Sequence, residues 1–144
     1  MSYLLDTNIL IAILHKREPE NLAVRSKDPK DLYLSGITIG EIYFGIENSS
    51  PIHIEKNRIA REAVLSQFQH LFSDQEISEE YGKIKAELAS LKSYNPNNEN
   101  DIWIAAHARA KSFILVTDNI KDFQTIKNLT IESWSTKPVA TIQT

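Results

Sequence analysis

Tyr3-Leu4-Leu5-Asp6-Thr7-Asn8-Ile9-Leu10-Ile11 sets a carboxylate where a short apolar strand hands over to an apolar helix. The run Tyr3-Leu4-Leu5 suits a buried strand, and Ile9, Leu10, Ile11, Ile13 and Leu14 continue as the buried side of a helix. In open parallel sheets, ligands bind at the carboxyl ends of strands, so an acid at this handover is placed to meet a cation or a substrate. The same residues also make good helix caps, because Asp6, Thr7 and Asn8 each carry an oxygen able to accept a backbone N–H. Position alone leaves capping and chemistry evenly matched.

Apolar runs of the same kind recur at 32–34 and 113–116, with a weaker one at 130–134, and segments of helical spacing lie between them. The spacing predicts helices over 8–16, 38–48, 52–71, 78–93 and 98–111. Strands alternating with helices build a mainly parallel sheet covered on both faces, an α/β sandwich. Pro51 suits the first turn of the third helix, and Ser93-Tyr94-Asn95-Pro96-Asn97-Asn98 reads as a loop that delivers the chain to Asp101. A chain of 144 residues makes one domain, here taken as 1–134, with a weakly patterned tail over 135–144 expected to be mobile or to pack only against a partner.

Composition narrows the function classes. No run approaches the ~20 apolar residues of a membrane span, and Met1 leads into the first strand without a basic segment and long apolar stretch, so the expected location is cytoplasmic. The absence of cysteine excludes disulfides and thiolate metal sites. A net charge of −3, from 16 basic and 19 acidic residues, argues against simple electrostatic wrapping of nucleic acid. If four of the acids share a divalent cation, however, the remainder is close to neutral, and local basic patches can still guide a polyanion.

Acids stand at four element ends. Asp6 ends the first strand, Glu41 follows Thr38-Ile39-Gly40, Asp101 opens Asp101-Ile102-Trp103-Ile104, and Asp118 follows Phe113-Ile114-Leu115-Val116-Thr117, with Asp122 four residues on. Each has a structural explanation: Thr38 and Glu41 have capping-box spacing, and Asp101 and Asp118 suit helix starts. Together they are harder to dismiss. If the first and fourth strands are central neighbours, the carboxylates emerge at one sheet edge and repel, so they either protonate or take a cation. An all-oxygen donor set without cysteine or paired histidines selects a hard ion, Mg²⁺ or Mn²⁺. Such an ion lowers the pKa of its water, which suits phosphodiester hydrolysis.

The segments 3–10, 35–46 (Ser35-Gly36-Ile37-Thr38-Ile39-Gly40-Glu41-Ile42-Tyr43-Phe44-Gly45-Ile46), 100–108 (Asn100-Asp101-Ile102-Trp103-Ile104-Ala105-Ala106-His107-Ala108) and 115–119, with Asp122-Phe123, resemble in order the PIN-domain ribonucleases of the VapC toxin type. The resemblance runs to about Trp134. It implies a PIN-like three-layer α/β/α sandwich and Mg²⁺-dependent endoribonuclease activity, with Mn²⁺ substituting. It also implies homodimerisation, a higher assembly with a small cognate antitoxin, and an RNA substrate of the transfer or ribosomal kind. Carried over by position, Asp6, Glu41 and Asp101 match three of the family's four acids, with Asp6 and Asp101 as the direct metal ligands. The fourth position holds Asn119, flanked by Asp118 and Asp122, so those two rank close together, with Thr117 and Asn119 as polar neighbours. A further departure is the loop 94–99, where relatives tend to have a glycine-containing turn.

Other residues weigh less. His107 lies six residues after Asp101, off its helical face, and reads as packed rather than catalytic. Trp103 has apolar neighbours and reads as core or interface. His15, Lys16 and Arg17 suit either a helix end or phosphate contact, and Lys56, Arg58 and Arg61 a solvated helix face or a basic rim. The apolar side of 52–71 could pack in the core or receive an antitoxin segment. Two competing readings remain. A haloacid-dehalogenase-like phosphotransferase would need an acid at Asn8, and a PIN-like binding or scaffold protein without turnover draws its support from Asn119.

Overall fold

The computed structural model describes residues 1–92, 94–95, 98–135 and 140–143. The strands are β1 (Tyr3–Leu5), β2 (Leu32–Ser35), β3 (Gln69–Leu71), β4 (Ile114–Val116), β5 (Thr130–Ser133) and β6 (Ala140–Gln143). The helices are α1 (Thr7–Leu14), α2 (Glu20–Arg25), α3 (Gly36–Glu47), α4 (Ile54–Leu65), α5 (Gln75–Ala89) and α6 (Glu99–Lys111).

One sheet runs in the order β3-β2-β1-β4-β5-β6, and only the β5–β6 pair is antiparallel. The side chains of successive strand residues point to opposite faces, and this alternation sorts the core into two layers. Leu4, Leu115 and Ile131 pack against Ile77 and Ile84 of α5 and against Ile102, Ala105 and Ala106 of α6. Leu5, Leu34 and Val116 pack on the other face against Ile9 and Leu10 of α1 and Ile42 and Ile46 of α3. Leu4, Leu5, Leu34 and Leu115 are fully buried, each contributing about 2 kcal/mol of burial free energy. The architecture is therefore a three-layer α/β/α sandwich with a mainly parallel sheet, as expected.

The structure departs from the sequence reading in several places, among them the unpredicted helix α2. The segment 52–71 is not one helix: α4 stops at Leu65, and Gln69–Leu71 pairs with β2 as an edge strand. Buried Leu65 and Phe68 carry the apolar signal straight through that turn, so helical spacing alone could not locate the break. Pro51 lies in the turn before α4 rather than in its first turn. In the tail, 140–143 pairs with β5, which contradicts the expectation that 135–144 packs only against a partner. Of the predicted loop, Ser93, Pro96 and Asn97 lie outside the described residues, as do 136–139 and Thr144.

The connections fix where the site forms. The β1–β2 and β2–β3 crossovers carry α1 to α4 over one face. The β3–β4 crossover carries α5 and α6 over the other and returns the chain beside β1. Strand order reverses between β1 and β4, which makes their carboxyl ends the switch point where open α/β sheets bind ligands.

Candidate active site

Asp6 follows β1 at this switch point and is 5% exposed. Capping and site geometry coincide in its carboxylate. One oxygen accepts the Thr7 backbone N–H at 2.8 Å and caps α1, and the other accepts the Thr117 hydroxyl at 2.8 Å from the end of β4. Thr117 is itself fixed, because its hydroxyl oxygen accepts the Asn119 N–H at 3.0 Å.

Glu41 is not part of a capping box. Ser35 caps α3 by accepting the Thr38 N–H at 3.1 Å, which starts the helix at Gly36 and moves Glu41 into its second turn. There the Thr7 hydroxyl donates to Glu41 Oε1 at 2.9 Å, with the Thr38 hydroxyl 3.0 Å from that of Thr7. A residue that reads locally as a helix starter thus positions an acid 34 positions away. Only long-range pairing reveals this role.

Asp101 stands in the first turn of α6, where the helix dipole favours a negative charge. Asp122 ends the 3₁₀ turn Ile120–Asp122 that follows β4. Asp6, Glu41, Asp101 and Asp122 line one shallow cavity of about 240 Å³ together with Thr7, Asn8, Ile11 and Asn119. Asp118 is not among the residues that line it. Its carboxyl is pushed up to about 6 by burial and by a hydrogen bond and charge from Glu20, opposed by Ser135 and Arg17. Glu20 is itself 4% exposed, with Arg17 3.7 Å away.

Charge is crowded in the cavity. Burial raises the pKa of Asp6, against the lowering hydrogen bonds from Thr117 and Thr7, and Glu41 and Asp122 raise it further. Burial followed by the charges of Asp6, Asp122 and Glu41 pushes Asp101 up to about 6. The donors are all oxygens. Among the described residues, no three acids converge closely enough to cage a cation by themselves. That combination suits a hard divalent ion that keeps most of its water and takes one or two carboxylates, as Mg²⁺ does.

A stability prediction follows from the sign of these shifts. Asp101 has a folded-state pKa of about 6 against an ordinary value of 3.8, so between those values the folded protein holds the proton more tightly than the unfolded chain. Its contribution is fully present below the ordinary value and is lost as pH rises through about 6; Asp118 acts in the same direction. Thermal unfolding in EDTA is expected to give a midpoint higher by a few degrees at about pH 5.5 than at about pH 7.5. At the higher pH, millimolar Mg²⁺ is expected to recover the lost stability and close the difference. Burial lowers the pKa of His107, which opposes the acids over this range, so a midpoint that falls steadily from pH 7.5 to 5.5 in a His107→Gln background would contradict the crowding.

A larger groove of about 860 Å³ adjoins the acids. Its apolar wall includes Ile11, 41% exposed, and Phe44, 70% exposed, while Thr7, Ile11 and Glu41 also line the acid cavity and Arg61 lies on the groove's α4 side. Arg58 pairs with Glu47 and Glu55 on the solvated side of α4. His107 is buried, with Nδ1 2.7 Å from the Trp103 carbonyl oxygen, and it faces no acid of the cavity. Trp103 stacks on Tyr81 at a ring separation of 3.8 Å, which engages it in packing.

The PIN domain model matches residues 3–129. The chain is 37% identical to ribonuclease VapC2 of Haemophilus influenzae over 134 residues, covering 93% of this chain and 98% of that relative. This chain is a PIN-domain protein of the VapC family. The PIN domain here is also 31% identical over 135 residues to a tRNA(fMet)-specific endonuclease VapC of Salmonella typhimurium, with coverage of 93% and 98%. Its fold matches the crystal structure of VapBC2 from Rickettsia felis bound to a DNA fragment from their promoter. The TM-score is 0.80 and the identity 32%, over 93% of this chain and 99% of that one. Membership sets aside the haloacid-dehalogenase alternative; in the PIN domain Asn8 lies next to the Asp118 backbone, with its Oδ1 3.5 Å from that N–H. PIN nucleases in general depend on a divalent cation, and no helix among the described residues is long and apolar enough to cross a membrane.

Proposed function

We propose that this VapC-family PIN domain is the endoribonuclease toxin of a toxin–antitoxin pair, acting in the cytoplasm as a homodimer when free of its antitoxin. The observation that carries the reading is the single cavity lined by Asp6, Glu41, Asp101 and Asp122. Asp6 and Asp101 would hold Mg²⁺, which when bound supplies Lewis-acid polarisation of the phosphate and a water of lowered pKa.

The remaining steps belong to the chain's own residues. Glu41, held through one oxygen by Thr7, has its other oxygen to orient a water and accept its proton. Thr117 fixes the rotamer of Asp6 so that the carboxylate meets the ligand without reorganising. Asp122 adds negative charge that favours cation entry and disfavours phosphate in its absence. The relative named for tRNA(fMet) makes transfer RNA the first substrate to try. Purified protein should cut total bacterial RNA or transfer RNA at discrete positions with Mg²⁺ or Mn²⁺ and not with EDTA. Folded protein that neither cuts RNA nor binds Mn²⁺ would replace this reading with the scaffold one, whereas Mn²⁺ binding without cuts would point to a narrow substrate absent from the sample.

The VapBC complexes among the relatives support a small antitoxin as partner, and the groove beside Glu41 is where we place its inhibitory segment. Phe44 is its exposed apolar anchor. Phe44→Glu is expected to weaken toxin–antitoxin binding roughly a hundredfold, as loss of an aromatic hot spot does, with metal-dependent cleavage kept within a few-fold. Titration of the product of the adjacent reading frame onto both proteins measures it. Equal affinity would move the antitoxin off this face.

A further inference from the structure

A second pocket, of about 270 Å³, shares Asp101 and Asp122 with the acid cavity and is otherwise lined by different residues. Its apolar part includes Leu88 near the end of α5, Leu91 just beyond that helix, and Ile126. Tyr94 stands in its wall, packed against the core, with its hydroxyl bonded to Glu99. Lys85 also holds Glu99, at 2.8 Å, and Tyr81 donates to it, so the Tyr94 ring is pinned from behind by an anchored carboxylate.

Two polar groups at this pocket, Asn98 and Lys121, bear on what it can hold. Asn98 occupies the N-cap position of α6 and its side chain makes no capping hydrogen bond, although capping is what asparagine does best there. Lys121 is exposed at the rim and makes no ion pair among the described residues. The volume lies just under the range of pockets for drug-sized ligands, which fits a single planar heterocycle. The two wall acids repel anions, so a group that enters is neutral or cationic and any anionic neighbour stays outside, near Lys121. An unstacked base in an RNA strand has that distribution of charge, with a neutral ring, hydrogen-bonding edges and a phosphate on either side.

We propose that this pocket receives the base of a nucleotide flanking the scissile phosphate, stacked on Tyr94 with its edge read by Asn98, while Lys121 meets the next phosphate. The inference rests on the ribonuclease reading and adds a source of sequence preference beside the cleavage chemistry. It makes Tyr94 a specificity-determining residue for the same reaction.

The test uses full-length protein and single-stranded RNA oligomers spanning a mapped cleavage site, each flanking nucleotide in turn replaced by an abasic one. For one flanking position, the abasic substrate should raise KM about tenfold for the wild type, the size of one base–aromatic stack, with kcat changed little. Tyr94→Ala should show that higher KM on the intact oligomer and lose further sensitivity to the abasic change. Tyr94→Phe, which keeps the ring and gives up only the hydroxyl's bond to Glu99, should stay within a few-fold of the wild type and well short of Tyr94→Ala. Lys121→Ala, at an exposed position that leaves the fold alone, should weaken binding to all oligomers alike and flatten the salt dependence. Cleavage by the wild type with unchanged KM and base preference in Tyr94→Ala would overturn the pocket and leave the nuclease standing. Additive losses from Tyr94→Ala and the abasic substrate would do the same. A wild type that neither cuts RNA nor binds Mn²⁺ overturns both.

Discussion

Asp6→Asn is expected to lower metal-dependent RNA cleavage roughly a thousandfold or more, a loss of about 4 kcal/mol of transition-state stabilisation. The fold should survive. Asn caps a helix as well as Asp does, so the Thr7 N–H keeps its acceptor. The Thr117 hydroxyl, which donates to the carboxylate, can turn to accept from the new amide. The substitution also removes a buried charge whose pKa is raised, so the metal-free variant should melt at or above the wild-type temperature. Activity and stability therefore move in opposite directions, a pattern that a general folding defect cannot produce. Paired cleavage and melting curves measure both, and a variant that cuts normally would remove Asp6 from the chemistry.

The second large effect separates two acids four residues apart. Asp122→Asn is expected to cost roughly a hundredfold in kcat/KM, because it takes a charge from the cavity that Asp6, Glu41 and Asp101 line. Asp118→Asn should change cleavage less than about threefold, since its carboxyl faces Glu20 and Ser135 instead. It should also raise thermal stability at neutral pH, because it relieves a close carboxyl pair in which one member is held near pKa 6. Side-by-side kinetics on one RNA settle the ranking. Equal losses from both variants would mean that Asp118 reaches the site by rotating.

The elements that carry the site were readable where local pattern and tertiary role agree. β1 and β4 are short buried runs followed at once by polar residues, and a parallel sheet brings such runs together at its centre. Glu41 and Asp101 were legible as acids near helix starts. The reason for the position of Glu41 was not, because the true cap is Ser35 and its partner Thr7 lies on another helix. Asp118 and Asp122 could not be ranked from sequence. Which of them faces the cavity depends on the 3₁₀ turn Ile120–Asp122 and on Glu20, a buried acid in a six-residue helix too short to show a helical repeat. α2 was overlooked for the same reason, and β3 because apolar spacing carried through the turn before it.

The Thr117 to Asp6 hydrogen bond joins residues 111 positions apart, and this separation sets the order of events on the ribosome. The acids arrive at positions 6, 41, 101 and 122, so more than four fifths of the chain must be synthesised before all four exist. β1 cannot gain its β4 neighbour until residue 116 has left the exit tunnel. A nascent or truncated chain ending before β4 holds Asp6, Glu41 and Asp101 without the strand that gathers them. On the proposed ribonuclease reading, the acid cavity therefore cannot act on the RNA around the ribosome until β4 and Asp122 have emerged.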